Sequence, residues 1–231
     1  MKQTAAKKSA RPRLVFLRRG KFGEVTVLAA GARRELWLGG DWQGTWSPGR
    51  VARGWYWPLM ADELARAARR IRAAAEREPE LLALGLGAAT VPRLLRRSGF
   101  CGAMLAIERD AAVIAALRAA FPPVEEMRII RADAAQYARA AGPRFDLIAE
   151  DVFAAATQLR FDPVSGLNAD YFRSLWKKLR PGGALVVNVF NGAEFSAGRA
   201  ALRAVLGKFA PIRVHIALRG DNAVWTLRKR R

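Results

Sequence analysis

The chain has 231 residues, a single cysteine and a single histidine, and its 40 basic against 20 acidic residues leave a formal net charge of +20. That length suits one sizeable core with a small appended lobe, while lone Cys101 excludes an intrachain disulfide and lone His215 a His/Cys zinc cluster. No apolar run approaches the ~18–20 residues of a membrane span, and Leu14–Leu17 is too short for the core of a signal peptide, so a cytoplasmic protein with no membrane partner is expected.

Residues 1–21 hold eight Lys/Arg and no acid, and the chain ends Arg228-Lys229-Arg230-Arg231. Such runs can bind nucleic acid. Neither interleaves the aromatics that stack on bases, so a solvated arm is the preferred reading. Next, "RLVFLRRGKFGEVTVLAAGARRELWLGGDWQGTW" alternates apolar and polar residues between glycine turns, which predicts three or four antiparallel strands. Trp37, Trp42 and Trp46 lie among them as packing residues. From about Ala61 the texture becomes helical, with Leu64, Ala68, Ile71 and Ala75 on one face.

Strands then alternate with helices. The pattern places strands at 81–85, 103–107, 127–131, 145–149 and 184–190, with helices at 90–97, 111–120, 134–140, 169–179 and 194–208. Alternation of this kind specifies an α/β fold, a Rossmann-like and mostly parallel sheet with helices on both faces. The closing "IRVHIALRGDNAVWTLRKR" reads as an antiparallel hairpin, with His215 as an ordinary strand residue. The expected organisation is a basic disordered arm over 1–12, a β-strand lobe over 13–52 and a nucleoside-binding domain over 53–231.

In open α/β sheets ligands sit beyond the carboxyl ends of the strands. The first parallel strand runs into Gly85-Leu86-Gly87-Ala88-Ala89-Thr90, a turn that lets backbone approach a ligand closely and opens a helix N-terminus. The second ends in Glu108, 21 residues beyond Gly87, the reach of an acid that takes both ribose hydroxyls. The third ends in Asp133, where a carboxylate could accept from an adenine amino group, and the fourth in Glu150-Asp151. Any one of these acids could be a helix N-cap. Together, in so basic a chain, they mark a site. Thr90 stands where a dinucleotide fingerprint needs its third glycine, and the ending fits a class I methyltransferase sheet, so S-adenosyl nucleosides outrank NAD.

The sequence resembles the spermidine synthase family, a branch of that fold, from about Leu14 to Leu227. Leu36-Trp37-Leu38-Gly39-Gly40-Asp41-Trp42-Gln43-Gly44-Thr45 is similar to the lobe pattern L-x-L-D-G-x-x-Q-x-T, with Gly39 for the aspartate. "LGLGAAT" takes the place of the glycine loop, "AIERDAAVI" resembles the ribose-binding E-x-D-x-x-V, and "RADAAQY" resembles the adenine-contacting G-D-A segment. The resemblance implies that Gln43, Gly85, Leu86, Gly87, Glu108, Asp133, Ala134 and Asp151 hold S-adenosylmethionine or its decarboxylated form, with no metal. It also implies a homodimer.

The departures fall on the acceptor side. The family's D-S-S-D-P becomes Asp151-Val152-Phe153-Ala154, and its Y-[HQ]-E becomes Tyr56-Trp57-Pro58, so two acids that would grip a polyamine are absent. Each ammonium in a pocket needs a carboxylate partner. Strand alternation turns Glu150 away from Asp151. The expected function is therefore a transferase that moves a methyl group to an acceptor the sequence does not name, with Asp151 as base or orienter and Tyr56 as pocket wall. Aminopropyl transfer to a polyamine is the alternative. A non-catalytic nucleoside- or nucleic-acid-binding protein is the second. Trp55-Tyr56-Trp57 either lines the acceptor site or forms a hinge between lobes.

Overall fold

The structure, a computed structural model, describes residues 11–49, 53–152, 169–190 and 196–230. Most of the basic arm, the last arginine, Phe153 and Ala154 lie outside them.

The alternating N-terminal stretch forms four strands, β1 (Arg13–Gly20), β2 (Gly23–Ala30), β3 (Arg33–Leu38) and β4 (Asp41–Trp46), paired antiparallel in chain order. Period-two patterning is visible in β2, where Val25, Val27 and Ala29 are buried and the residues between them are not. The helix α1 (Tyr56–Ala75) begins five residues before the point where apolar periodicity becomes legible at Ala61. Pro58 falls in its first turn, where the missing N–H costs nothing, so "YWP" opens the helix instead of preceding it.

The remaining elements are β5 (Leu81–Leu84), α2 (Thr90–Arg97), β6 (Met104–Glu108), α3 (Ala111–Ala120), β7 (Met127–Arg131), α4 (Ala134–Arg139), β8 (Phe145–Glu150), α5 (Ala169–Lys178), β9 (Leu179–Phe190), α6 (Ser196–Gly207), β10 (Ile212–Ile216) and β11 (Asn222–Arg228). The expected parallel sheet and terminal hairpin are both present, in the order β10-β11-β9-β8-β5-β6-β7. β11 runs antiparallel to both neighbours, and β5 through β9 pair in parallel. β9 starts five residues earlier than expected, because Arg180-Pro181-Gly182-Gly183 is accommodated as an irregularity between the Phe145–Leu179 and Leu147–Ala184 pairs. Arg180 there bonds Asp146 and Glu80.

Alternation along the buried strands sends side chains to opposite faces. Leu81, Ala83, Leu147 and Ala149 face α1, α2, α3 and the small sheet; Leu82, Leu84, Ile148 and Val187 face α4 and α5. His215 lies in β10 as expected, its Nε2 3.2 Å from Glu63 on α1. β5 is flanked by β6 on one side and β8 on the other, which makes its carboxyl end the switch point where a cleft opens.

Candidate functional site

The glycine loop is confined from two directions. A Cβ on Gly85 (φ +75°) would stand 2.2 Å from the Asp151 carbonyl oxygen, and one on Gly87 (φ +48°) 2.4 Å from that of Gln43. The loop thus runs in backbone contact with the end of β8 below and with β4 above. Around it one cleft is bordered by Gln43, Gly85, Leu86, Gly87, Glu108, Asp133, Ala134 and Asp151, all eight of the residues expected to hold a nucleoside. Phe22, from the β1–β2 turn, borders it too, with the Arg109 guanidinium 3.7 Å from its ring centroid. Nothing in the alternating sequence around Phe22 marks it as a cleft residue.

Each acid meets its strand end differently. Glu108 Oε2 accepts the Leu86 N–H (3.2 Å) and Oε1 the Asp110 N–H (2.8 Å), so the carboxylate braces the glycine loop. Burial pushes its pKa up, and so does the neighbouring Asp110 charge; the backbone N–H groups oppose the rise. Asp110 is the N-cap of α3 through the Ala112 N–H (2.8 Å), and it also accepts the Lys21 N–H (3.1 Å) from the small sheet. Asp133 caps α4 through Oδ1 alone, which takes the Ala135 and Gln136 N–H groups, both at 2.9 Å. Its Oδ2 has no partner among the described residues, and a carboxylate oxygen accepts more than one bond. Glu108 and Asp133 are therefore carboxylate acceptors already held in place at two neighbouring strand ends.

Asp151 is the centre of a polar chain. Tyr56 donates its hydroxyl to Oδ2 (3.2 Å), Asn188 of β9 donates its amide to Oδ1 (2.8 Å), and Asn222 of β11 donates to Asn188 Oδ1 (3.0 Å). Burial pushes Asp151 up to about 6, against the two hydrogen bonds it accepts, and holds Tyr56 well above its ordinary range as a phenol. Tyr56 is not itself a border residue of the cleft; it acts on Asp151. Asn188 and Asn222 were missed in the sequence, although a lone amide inside "ALVVNVF" was a visible signal that something polar faces it.

Glu150 turns to the other face, where the Tyr171 hydroxyl donates to it at 3.3 Å and burial, then the Asp151 charge, raises it to about 8. The tryptophans resolve as a junction. Trp42 of β4 meets Trp55 edge-on at 4.7 Å and Trp57 at 4.9 Å, so these rings join the small sheet to the start of α1. Of the Trp55-Tyr56-Trp57 run, only Tyr56 reaches the cleft's acid.

Among solved structures, a probable spermidine synthase from Corynebacterium glutamicum ATCC 13032 matches with a TM-score of 0.75 at 18% identity, over 94% of this chain and 80% of that one. A spermidine synthase in complex with the transition-state analogue AdoDATO matches with a TM-score of 0.68 at 15% identity, over 94% and 72%. The fold is that of the spermidine synthases. Human methyltransferase-like protein 13 in complex with SAH shares it more distantly, with a TM-score of 0.60 at 19% identity over 74% and 79%. No protein-family profile and no curated protein matches the chain at the level of sequence. The spermidine synthase-like fold accounts for both sheets, the small antiparallel one and the class I methyltransferase sheet beneath it.

Proposed function

We propose that the chain is a transferase acting on an S-adenosyl nucleoside, and that it moves a methyl group to an acceptor carrying at most one positive charge at the site. The observation that carries this reading is that Asp151 is the one acceptor-side carboxylate among the described residues. Asp151 borders the cleft, whereas Glu150 is bonded to Tyr171 on the opposite face of the sheet. A polyamine would leave an ammonium without a partner, at a cost of several kcal/mol.

The donor supplies an electrophilic carbon on a sulfonium, and the chain supplies position and a base. Glu108 and Asp133 hold the nucleoside, with Gln43 reaching it from the small sheet. The loop amides orient its amino-acid end. Tyr56 and Asn188 fix the Asp151 carboxylate, so that the acceptor's nucleophile presents its lone pair to the carbon, the carbon–sulfur bond breaks with its electron pair leaving on sulfur as a neutral thioether, and the nucleophile's proton passes to an Asp151 oxygen. With a pKa of about 6, Asp151 is ionised near neutrality and close to the matched range for a base.

Aminopropyl transfer is the second reading. It is favoured by the retained small sheet and by Gln43 bordering the cleft, both of which the resemblance attaches to that chemistry. The homodimer and the division into a β lobe over 13–52 and a nucleoside-binding domain over 53–231 belong to the same proposal. Calorimetric titration with S-adenosylmethionine and with its decarboxylated form separates the readings. Tighter binding of the carboxylated donor, followed by S-adenosylhomocysteine release, supports methyl transfer. Tighter binding of the decarboxylated donor, followed by methylthioadenosine release, supports aminopropyl transfer. Binding of neither overturns both and leaves the non-catalytic reading.

A further inference from the structure

A second cavity, of about 380 Å³, opens between the small sheet and α2, and it shares no bordering residue with the nucleoside cleft. Gln43 and Gly87 border the cleft; Thr45 and Thr90, a few residues along the same segments, border the cavity. Its chemistry is of the opposite sign. Arg33, Arg53, Arg93, Arg97 and Arg219 converge on it from β3, the segment before α1, two successive turns of α2 and the β10–β11 turn, and no carboxylate borders it among the described residues.

Arg33 is satisfied by Glu35. Arg53, Arg93 and Arg219 have no carboxylate partner among the described residues. Arg93 is 8% exposed; its Nε donates to the Ala88 carbonyl at 3.2 Å, and its guanidinium lies 5.5 Å from the Phe121 ring centroid, between this cavity and the next. Burial, with the Arg97 charge added to it, pushes its pKa down to about 10, the sign of a guanidinium held where charge is costly. Three guanidinium groups without a described carboxylate, bordering one cavity, are unfavourable together unless an anion completes the arrangement. Planar guanidinium forks suit phosphate oxygens in particular.

Three tryptophans share the wall with the arginines, beside Thr45, Ser47, Thr90 and Leu94. Trp42, Trp46 and Trp55 border the same cavity, half-buried, and no described ring stacks on Trp46. An indole face beside guanidinium groups is the surface on which a nucleobase stacks. We propose that this cavity is a second binding site, for a nucleoside phosphate whose phosphate the arginines hold and whose base packs on the tryptophans. The chemistry is the same for a free nucleotide and for a nucleotide within a single strand.

The test is tryptophan fluorescence of the full chain titrated with adenosine 5′-diphosphate, with S-adenosylhomocysteine present in excess to fill the first cleft. Quenching that weakens at higher salt is expected, with affinity falling at least about tenfold in the R53E/R219E double variant. Both side chains are exposed, and unchanged binding of S-adenosylhomocysteine would show the variant folded. Independently, W46L is expected to weaken adenosine diphosphate but not inorganic pyrophosphate. A thymidine decanucleotide that displaces the diphosphate supports the site with a strand as its source; failure to displace it supports a free nucleotide. No binding, binding abolished by S-adenosylhomocysteine, or binding unchanged in R53E/R219E overturns the site. Equal affinity of the wild-type chain for pyrophosphate and for adenosine diphosphate overturns recognition of the nucleoside.

Discussion

Thr90 and Thr45 exchange two hydrogen bonds: the Thr45 N–H donates to Thr90 Oγ1 at 3.0 Å, and Thr90 Oγ1 donates to the Thr45 carbonyl at 3.0 Å. The residue that breaks the dinucleotide fingerprint is thus the one that seats the small sheet on the glycine loop. A glycine at 90 would offer no hydroxyl for either bond, and Thr45 would lose a partner for both of its backbone groups.

Replacing Thr90 by valine keeps the side-chain volume and removes both bonds. A loss of about 1–3 kcal/mol is expected from two part-buried backbone groups left without that partner. S-adenosylhomocysteine should bind several-fold more weakly, since Gln43 lies on the freed strand two residues from Thr45. Denaturant unfolding and calorimetry of T90V measure the two effects. Unchanged values for both would show that other contacts seat the sheet.

Asp151 sets an acid limit on turnover. Held at about 6, it loses its negative charge as pH falls through that value, so the rate should rise from pH 5 to 7 and level off above. D151N should lose about 10²–10⁴-fold in turnover with donor affinity kept within a few-fold. Full activity with normal donor affinity would remove Asp151 from the chemistry.

Asn188 stabilises the ionised form of Asp151, because its amide donates to the carboxylate. N188A should therefore move the acid limb of the pH profile upward, while N188D would place a second negative charge beside the first and move it further. A limb that stays in place in both variants would mean that another group titrates there.

Glu150 illustrates the linkage between pKa and stability. Its folded value of about 8 lies above the ordinary glutamate range, so the folded state holds a proton that the unfolded state releases. Stability falls as pH rises from about 4.5 through 8, and stays reduced above. E150Q, neutral throughout and still able to accept from Tyr171, should unfold at a higher temperature than the parent at pH 9, by roughly 5 °C, with a much smaller difference at pH 4. Equal melting temperatures at both pH values would show that Glu150 is not strained by ionisation.

Gly85 admits no side chain. G85A would set a methyl group against the Asp151 carbonyl in a backbone region that L-residues rarely adopt. A loss above about 2 kcal/mol is expected, measured by denaturant unfolding, because neither backbone segment can retreat without breaking the β5–β8 pairing. A smaller loss would mean that the loop shifts more easily than this contact implies.

What the chain determined by itself was periodicity and strand ends. Buried runs such as "LLAL" and "DLIAE" alternate with helical segments at spacings that only a parallel sheet accommodates, and a parallel sheet puts its ligand beyond the carboxyl ends. Glu108, Asp133 and Asp151 are therefore readable in the sequence as acids of one cleft. The start of α1 was not readable, because a proline in a first turn looks the same in sequence as a proline that precedes a helix.

Tertiary structure alone decided which groups meet across elements distant in the chain. Asn222 reaches Asp151 only because β11 inserts beside β9, and Tyr56 reaches it only because α1 lies over the ends of β8 and β9. Glu150 and Asp151, neighbours in sequence, part company because the pleat sends them to opposite faces. The arginines of the second cavity, spread from position 33 to 219, show no pattern along the chain at all. Periodicity is a local property that a short window of residues carries. Convergence of charge depends on the packing of whole elements, and no window contains it.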